Sequence, residues 1–263
     1  MKLPREIEEL LNLARDAALE AGALLKNGYN HPHCIDYKGT VDLVTEMDRA
    51  SEKLIIDKIK NRYPHHRFHA EESAGGEIPQ AEYLWFIDPL DGTTNYAHNL
   101  PIFSVTLALR YQGEIVLGAI NPPLLGEFYW AVKGRGAFRN EEAIKVSLET
   151  RLEHALLGTG IPYDIRENPE RILDNFGRFS LASQGVRRPG TASIDLAYLA
   201  CGRYDGFWEE GLKPWDVASG ILLIEEAGGK ISGFNGEPYQ MGQRDFLASN
   251  GFLHGEMLNS IKC

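Results

Sequence analysis

Two acids in the stretch WFIDPLDGTTNY (85–96) are the first residues that could do chemistry. Asp88 ends an apolar run of Trp85, Phe86 and Ile87, and Asp91 follows three residues later. An acid at the C-terminal end of an apolar strand leads into a cleft. Pro89 fixes its own φ and keeps Asp88 extended, so the chain can turn until Asp91 faces the same point. Two carboxylates that converge in a partly dry place share a proton or bind a cation. An oxygen-rich cluster suits a hard ion such as Mg²⁺. Asp91-Gly92 also fits a plain turn, and Asp88 a helix cap. Against that plainer reading, Gly92, Thr93, Thr94 and Asn95 present backbone N–H groups and two hydroxyls as a helix start does, which suits an anionic phosphate.

Other acids stand in suggestive places. In HAEESAGG (69–76), Glu71 and Glu72 end a strand before a small loop, and alternation lets only one of them join Asp88. A solvated acidic pair is the structural alternative. In KGTVDLVTEMD (38–48), Asp42 and Asp48 flank Thr45, and Asp48 sits where a capping-box partner would. Lys38 reads as a surface lysine. In EEGLKPWDVASG (209–220), Asp216 opens a helix, where an acid favours the dipole without further role. Its place beside Trp215 implies partial burial, and a buried acid needs a partner. The histidines of HPH (31–33) and HHRFH (65–69) are dense but lack the i, i+4 spacing of a zinc-hydrolase motif, and read as surface residues.

The elements that must position these groups follow from periodicity. Residues 6–26 carry a helical stripe ending near Gly28, and a second helix is predicted over 46–62, with Thr45 as N-cap, Ile55, Ile56 and Ile59 buried, and Pro64 as stop. Strands are predicted over 67–70, 83–88, 104–111, 115–121 and 127–132, reading as an antiparallel meander. The C-terminal part alternates: strands over 156–160, 206–209 and 246–249, helices over 169–181, 191–201, 215–227 and 251–261. No linker, repeat or low-complexity tract interrupts the 263 residues. The expectation is one α/β (α+β) domain, 1–263, with layered helices and sheets and two closely packed subdomains, about 1–150 and 151–263.

Composition narrows the function. The formal net charge of -10 makes nucleic acid and anionic membranes poor partners. No run approaches the about 18 apolar residues of a membrane span. Cys34, Cys201 and Cys263 show neither a disulfide framework nor metal-ligand spacing. Cys34 and Cys201 read as packing residues, and the expected compartment is a reducing cytoplasm.

Taken together, these segments resemble the inositol monophosphatase family. DPLDGTTNY (88–96) and WDVASGILLIEEAGG (215–229) are similar to its two signatures, and VDLVTEMD (41–48), EES (71–73) and RRPGTASIDLAYLACGRYDGFWE (187–209) follow in family order. The resemblance implies a layered αβαβα fold of the inositol monophosphatase and fructose-1,6-bisphosphatase type. It also implies a homodimer, and a Mg²⁺-dependent, commonly Li⁺-sensitive phosphomonoesterase with two or three ions per site. By the same resemblance, Glu71, Asp88 and the Leu90 carbonyl hold the tight ion, and Asp88, Asp91 and Asp216 hold a second. Glu71 also touches a third. Asp48 and Thr93 resemble the pair that orients the attacking water, and Gly92, Thr93 and Thr94 the phosphate cradle. Asp91, Gly190, Thr191, Ala192 and Glu209 fall where the family meets the substrate. The substrate implied is a polyol phosphate, myo-inositol 1-phosphate or 4-phosphate first. Fructose 1,6-bisphosphate, histidinol phosphate, NADP, 3′-nucleotides and a purely regulatory binding role are the rivals. Two positions depart from the pattern: Ala70 stands where a Gly often precedes the Glu pair, and Lys213 where animal members carry His.

Overall fold

The structure, a computed structural model, describes residues 3–37 and 43–263, with Tyr37 described by its backbone alone. The expectations for Lys38 and Asp42 lie outside the described residues. The chain opens with α1 (Ile7–Gly28), then β1 (Ile35–Tyr37), β2 (Leu43–Thr45) and α2 (Glu46–Arg62). The next stretch holds β3 (Arg67–Ala70), β4 (Tyr83–Asp91), α3 (Thr93–Ala97), β5 (Ser104–Tyr111), β6 (Glu114–Asn121), β7 (Tyr129–Val132), β8 (Gly136–Arg139) and β9 (Glu142–Ile144). The remainder holds β10 (Leu156–Thr159), α4 (Pro169–Ala182), β11 (Gly185–Arg187), α5 (Ala192–Ala200), β12 (Gly206–Glu210), α6 (Pro214–Glu226), β13 (Lys230–Ser232), β14 (Asp245–Ser249) and α7 (His254–Ser260).

Strands β3 to β9 form one seven-stranded sheet in sequence order, and a five-stranded sheet runs β11-β10-β12-β14-β13. Alternation along β4 shows how layers arise. Trp85 and Ile87 join the core under α1 and α2 with Leu10, Ala14, Ala18, Leu25, Ile55 and Ile59. Leu84 and Phe86 face the other way and meet Ala218 of α6. On β12, Phe207 packs toward α5 and α6, whereas Trp208 meets Phe179 of α4 and Met257 of α7. The order is therefore α1/α2, seven-stranded sheet, α5/α6, five-stranded sheet, α4/α7, the αβαβα arrangement. Helix α6 lies so close to β6 that a Cβ on Gly118 would sit 2.9 Å from the Ser219 carbonyl oxygen.

Four sequence expectations need correction. β3 pairs parallel with β4, so the sheet is not a pure meander; the chain crosses over between them before β4 begins. His66 and His69 are buried rather than surface residues. His66 stacks between Tyr63 and Tyr83 at centroid distances of 4.7 and 4.4 Å, and accepts from Trp85 Nε1 at 3.0 Å. Stacking on both faces and a bond to one ring nitrogen favour burial of the imidazole. Cys34 is exposed and not a packing residue. Ile56 is only half-buried.

Candidate active site

The two halves of β4 have different jobs. Through Asp88 it pairs regularly with β5, but the register shifts between Asp88 and Asp91. A bulge turns side chains that would alternate toward one side. Leu90 N–H donates to Asp88 Oδ1 at 3.0 Å, and the Pro89 carbonyl accepts from Ser51 Oγ at 2.8 Å. Gly92 then reverses the chain at φ 95°, a left-handed conformation that favours glycine, and caps the short helix α3. Asp88 is 2% exposed.

The other acids arrive from separate elements. The parallel register places Ala70 beside Ile87, and Glu71 N–H continues it by donating to the Ile87 carbonyl at 3.1 Å, which brings Glu71 alongside Asp88. Asp216 stands in the first turn of α6, after Pro214, and accepts from Lys213 N–H at 2.7 Å. Asp91 Oδ2 accepts from Ser193 N–H at 2.8 Å and from the Ser193 hydroxyl, at the N-terminus of α5, where Thr191 Oγ1 caps Ile194 N–H at 3.2 Å. Glu209 lies on the inward face of β12 by alternation with Trp208.

Electrostatics records the crowding. Asp88 is pushed well above the usual carboxylate range by burial, then by Glu71, Asp91 and Asp216. Asp216 is pushed well up by burial and Glu71, and Glu209 by burial, Asp216 and Asp91. Burial also raises Asp91, but the bonds from Ser193, Thr191 and Ala192 oppose the rise. Among the described residues, no three His, Cys, Asp or Glu side chains are gathered into a ready-made metal cage. The acids repel one another through space, and as an all-oxygen donor set they suit a hard divalent cation.

Asp48 differs in being fully anchored. Its Oδ2 accepts from Thr45 N–H at 2.8 Å and Thr45 Oγ1 at 2.6 Å, so the capping box anticipated for α2 is real. Its Oδ1 lies 2.9 Å from Thr93 Oγ1, which is also 3.0 Å from the Leu90 carbonyl. One residue thus caps a helix and aligns a hydroxyl.

These groups share one cleft of about 510 Å³, lined by Glu71, Asp88, Asp91 and Asp216 together with Gly190, Thr191, Ala192 and Glu209. Leu90, Gly92, Thr93 and the exposed Thr94 line it too. Asp48 touches it through Thr93. All the site residues anticipated from the sequence are therefore neighbours.

The chain matches the model of the inositol monophosphatase family over residues 6–263. It belongs to the inositol monophosphatase family. A Pseudomonas aeruginosa protein named Nus factor SuhB is 41% identical over 264 residues, covering 97% of both chains. An inositol-1-monophosphatase of Synechocystis is 39% identical over 261 residues, covering 98% of this chain and 90% of the relative. The solved structure of the inositol monophosphatase from Anabaena (Nostoc) superposes with a TM-score of 0.86 at 41% identity, covering 97% of this chain and 96% of the other.

Three side-chain roles near the site escaped the sequence reading. Ser193 binds Asp91. Asn95 Nδ2 donates to the carbonyls of Ile102 and Pro189 at 2.8 Å each, tying α3 to the approach to α5. Asp195 is 1% exposed, and its Oδ1 has no hydrogen-bond partner among the described residues. Burial, Glu209 and Asp91 push Asp195 well up. A lone acid in the otherwise apolar helix ASIDLAYLA was the available signal.

Proposed function

We propose that the protein is a Mg²⁺-dependent phosphomonoesterase. On this reading it hydrolyses a polyol phosphate, myo-inositol 1-phosphate or 4-phosphate first, to the alcohol and inorganic phosphate. The carrying observation is the Thr93 hydroxyl, 2.9 Å from Asp48 Oδ1, at the edge of a cleft lined with mutually repelling acids. Glu71, Asp88, Asp91, Asp216 and the Leu90 carbonyl would hold two or three Mg²⁺. Bound there, the ions supply Lewis acidity, making a bound water more acidic and stabilising the leaving oxygen.

The chain's own groups do the rest. Asp48, anchored through Oδ2, keeps Oδ1 free of rotation and holds Thr93 in one orientation. Thr93 Oγ1 donates to Asp48 and accepts from the attacking water, so the pair, assisted by Glu71, aims the water and draws its proton. N–H groups of Gly92 and Thr93, with Thr94, receive phosphate oxygens. Asp91, Gly190, Thr191, Ala192 and Glu209 contact the alcohol. Water attacks phosphorus in line, and no phosphorylated residue is needed. On this reading the chain works as one domain, 1–263, and its subdomains of about 1–150 and 151–263 both contribute residues to the cleft. The proposed form is a cytoplasmic homodimer; among the described residues no helix is long and apolar enough to cross a membrane.

A second reading draws on the Pseudomonas relative's name: a role as a Nus factor, alone or beside catalysis. Released phosphate from a panel of phosphate esters, with Mg²⁺ and with or without Li⁺, separates the readings. Preference for inositol phosphates supports the first. Folded protein with no metal-dependent turnover on any ester leaves the second.

A further inference from the structure

The cleft wall beside Glu209 includes the segment 160–164, which leaves β10 without pairing to a strand. It folds into a turn closed by Ile165 N–H on the Pro162 carbonyl at 3.1 Å. Gly160 lies against Glu209. At the far end, Asp164 is gripped by both terminal nitrogens of Arg244, Nη1 to Oδ2 at 2.7 Å and Nη2 to Oδ1 at 3.2 Å. A planar guanidinium held by two such bonds fixes orientation as well as distance. The guanidinium also holds the Asp164 carboxyl below the usual carboxylate range.

Arg244 is itself anchored. Its Nε donates to Glu210 Oε2 at 3.2 Å, and Glu210 is 5% exposed. Glu210 follows Glu209 on β12, so the two carboxylates point to opposite faces of the strand. Glu210 also pairs with Arg171 of α4, which donates in turn to Asp245 Oδ1 at 2.9 Å. The further bond through Arg244 ties the loop wall to the strand that presents Glu209. The Asp164 and Arg244 side chains are 36% and 40% exposed, and ion pairs that exposed add little to folding.

We propose that the Asp164–Arg244 pair is a positioning clamp that sets the width of the alcohol-binding end of the cleft and thereby selects a compact polyol over other leaving groups. The clamp rests on the phosphomonoesterase reading of the site. The test compares wild type, Asp164→Asn, Arg244→Gln, the double variant and Arg244→Lys, each as full chain with Mg²⁺. KM for myo-inositol 1-phosphate should rise about fivefold in each single variant, the upper end for one such pair. It should rise no further in the double than in Arg244→Gln, because once the guanidinium is gone Asp164→Asn has no grip left to remove. Arg244→Lys should fall between, and kcat on p-nitrophenyl phosphate should stay within about twofold. An unchanged KM, an additive double variant, or equal losses on both esters overturns the clamp. Hydrogen exchange across 160–168 supplies a readout independent of turnover. Amides there should exchange several-fold faster in the variants, and unchanged exchange refutes the clamp whichever esters react. Wild-type protein that hydrolyses neither ester refutes the phosphatase reading instead, and the exchange result still decides the clamp.

Discussion

Gly160→Ala probes the alcohol end of the site with the smallest possible change. A Cβ on Gly160 would fall inside the Glu209 carboxylate, well within the 3.0 Å that real Cβ atoms essentially never cross. Gly160 has no positive φ to forbid alanine. The obstructed group is the free end of a flexible side chain, so the fold should survive and Glu209 should swing aside by on the order of 1 Å, a displacement that can cost about 100-fold in rate. If Glu209 accepts a hydrogen bond from the polyol, losing that charged bond costs about 1.5–3 kcal/mol. That predicts a fall of roughly 10- to 150-fold in kcat/KM for myo-inositol 1-phosphate. Steady-state phosphate release is the assay, with p-nitrophenyl phosphate as a control lacking ring hydroxyls and expected to change little. Equal kcat/KM for wild type and Gly160→Ala on the inositol ester, at unchanged circular dichroism, would refute the role given to Glu209.

Other expectations follow from the same contacts. Asp91→Asn should abolish turnover at saturating Mg²⁺ while leaving the thermal midpoint near that of the wild type; near-normal activity would remove Asp91 from the site. Thr93→Ala should lower kcat by about 100-fold or more with little change in KM, as general acid–base positioning contributes about 10²–10⁴-fold; a pure KM effect would contradict it. Asp88, Asp216 and Glu209 have folded pKa values raised above their ordinary 3.8 and 4.5. Their contribution is full below those ordinary values and lost as pH rises through the folded ones. EDTA-treated protein should therefore melt lower at pH 8 than at pH 6, with Mg²⁺ raising the midpoint more at pH 8; a pH-independent Mg²⁺ shift would speak against the acid cluster. His254 behaves oppositely. Buried between Ser249 and Ser232, it is pulled down from 6.5 to about 4. Its contribution is full above 6.5 and drains away as pH falls toward 4, by about 3 kcal/mol. His254→Gln should flatten that part of a denaturation profile.

Much of this arrangement was legible before any coordinates. α2 begins at Glu46 behind a Thr45 cap because the hydroxyl, the acid three residues on and the apolar stripe all agree. β4 was anticipated to Asp88 but runs to Asp91 through a bulge, and a bulge breaks the alternation by which a strand is recognised. The short β1, β2, β8, β9, β11 and β13 have three or four residues each, too few to display a period. Residue types and resemblance named Glu71, yet its place beside Asp88 depends on a parallel register that spacing does not encode. His66 looked like a surface histidine because stacking between Tyr63 and Tyr83 is a tertiary event. The Asp164–Arg244 grip joins residues 80 apart and has no local signature.

The most direct test of the acidic cleft as a metal-dependent phosphatase site is phosphate release from myo-inositol 1-phosphate by the intact protein, titrated with Mg²⁺ and then with EDTA. Turnover that appears with Mg²⁺, disappears with EDTA and returns when Mg²⁺ is restored is the predicted result. Folded protein that releases no phosphate at any Mg²⁺ concentration, or that releases it equally well in EDTA, would contradict it.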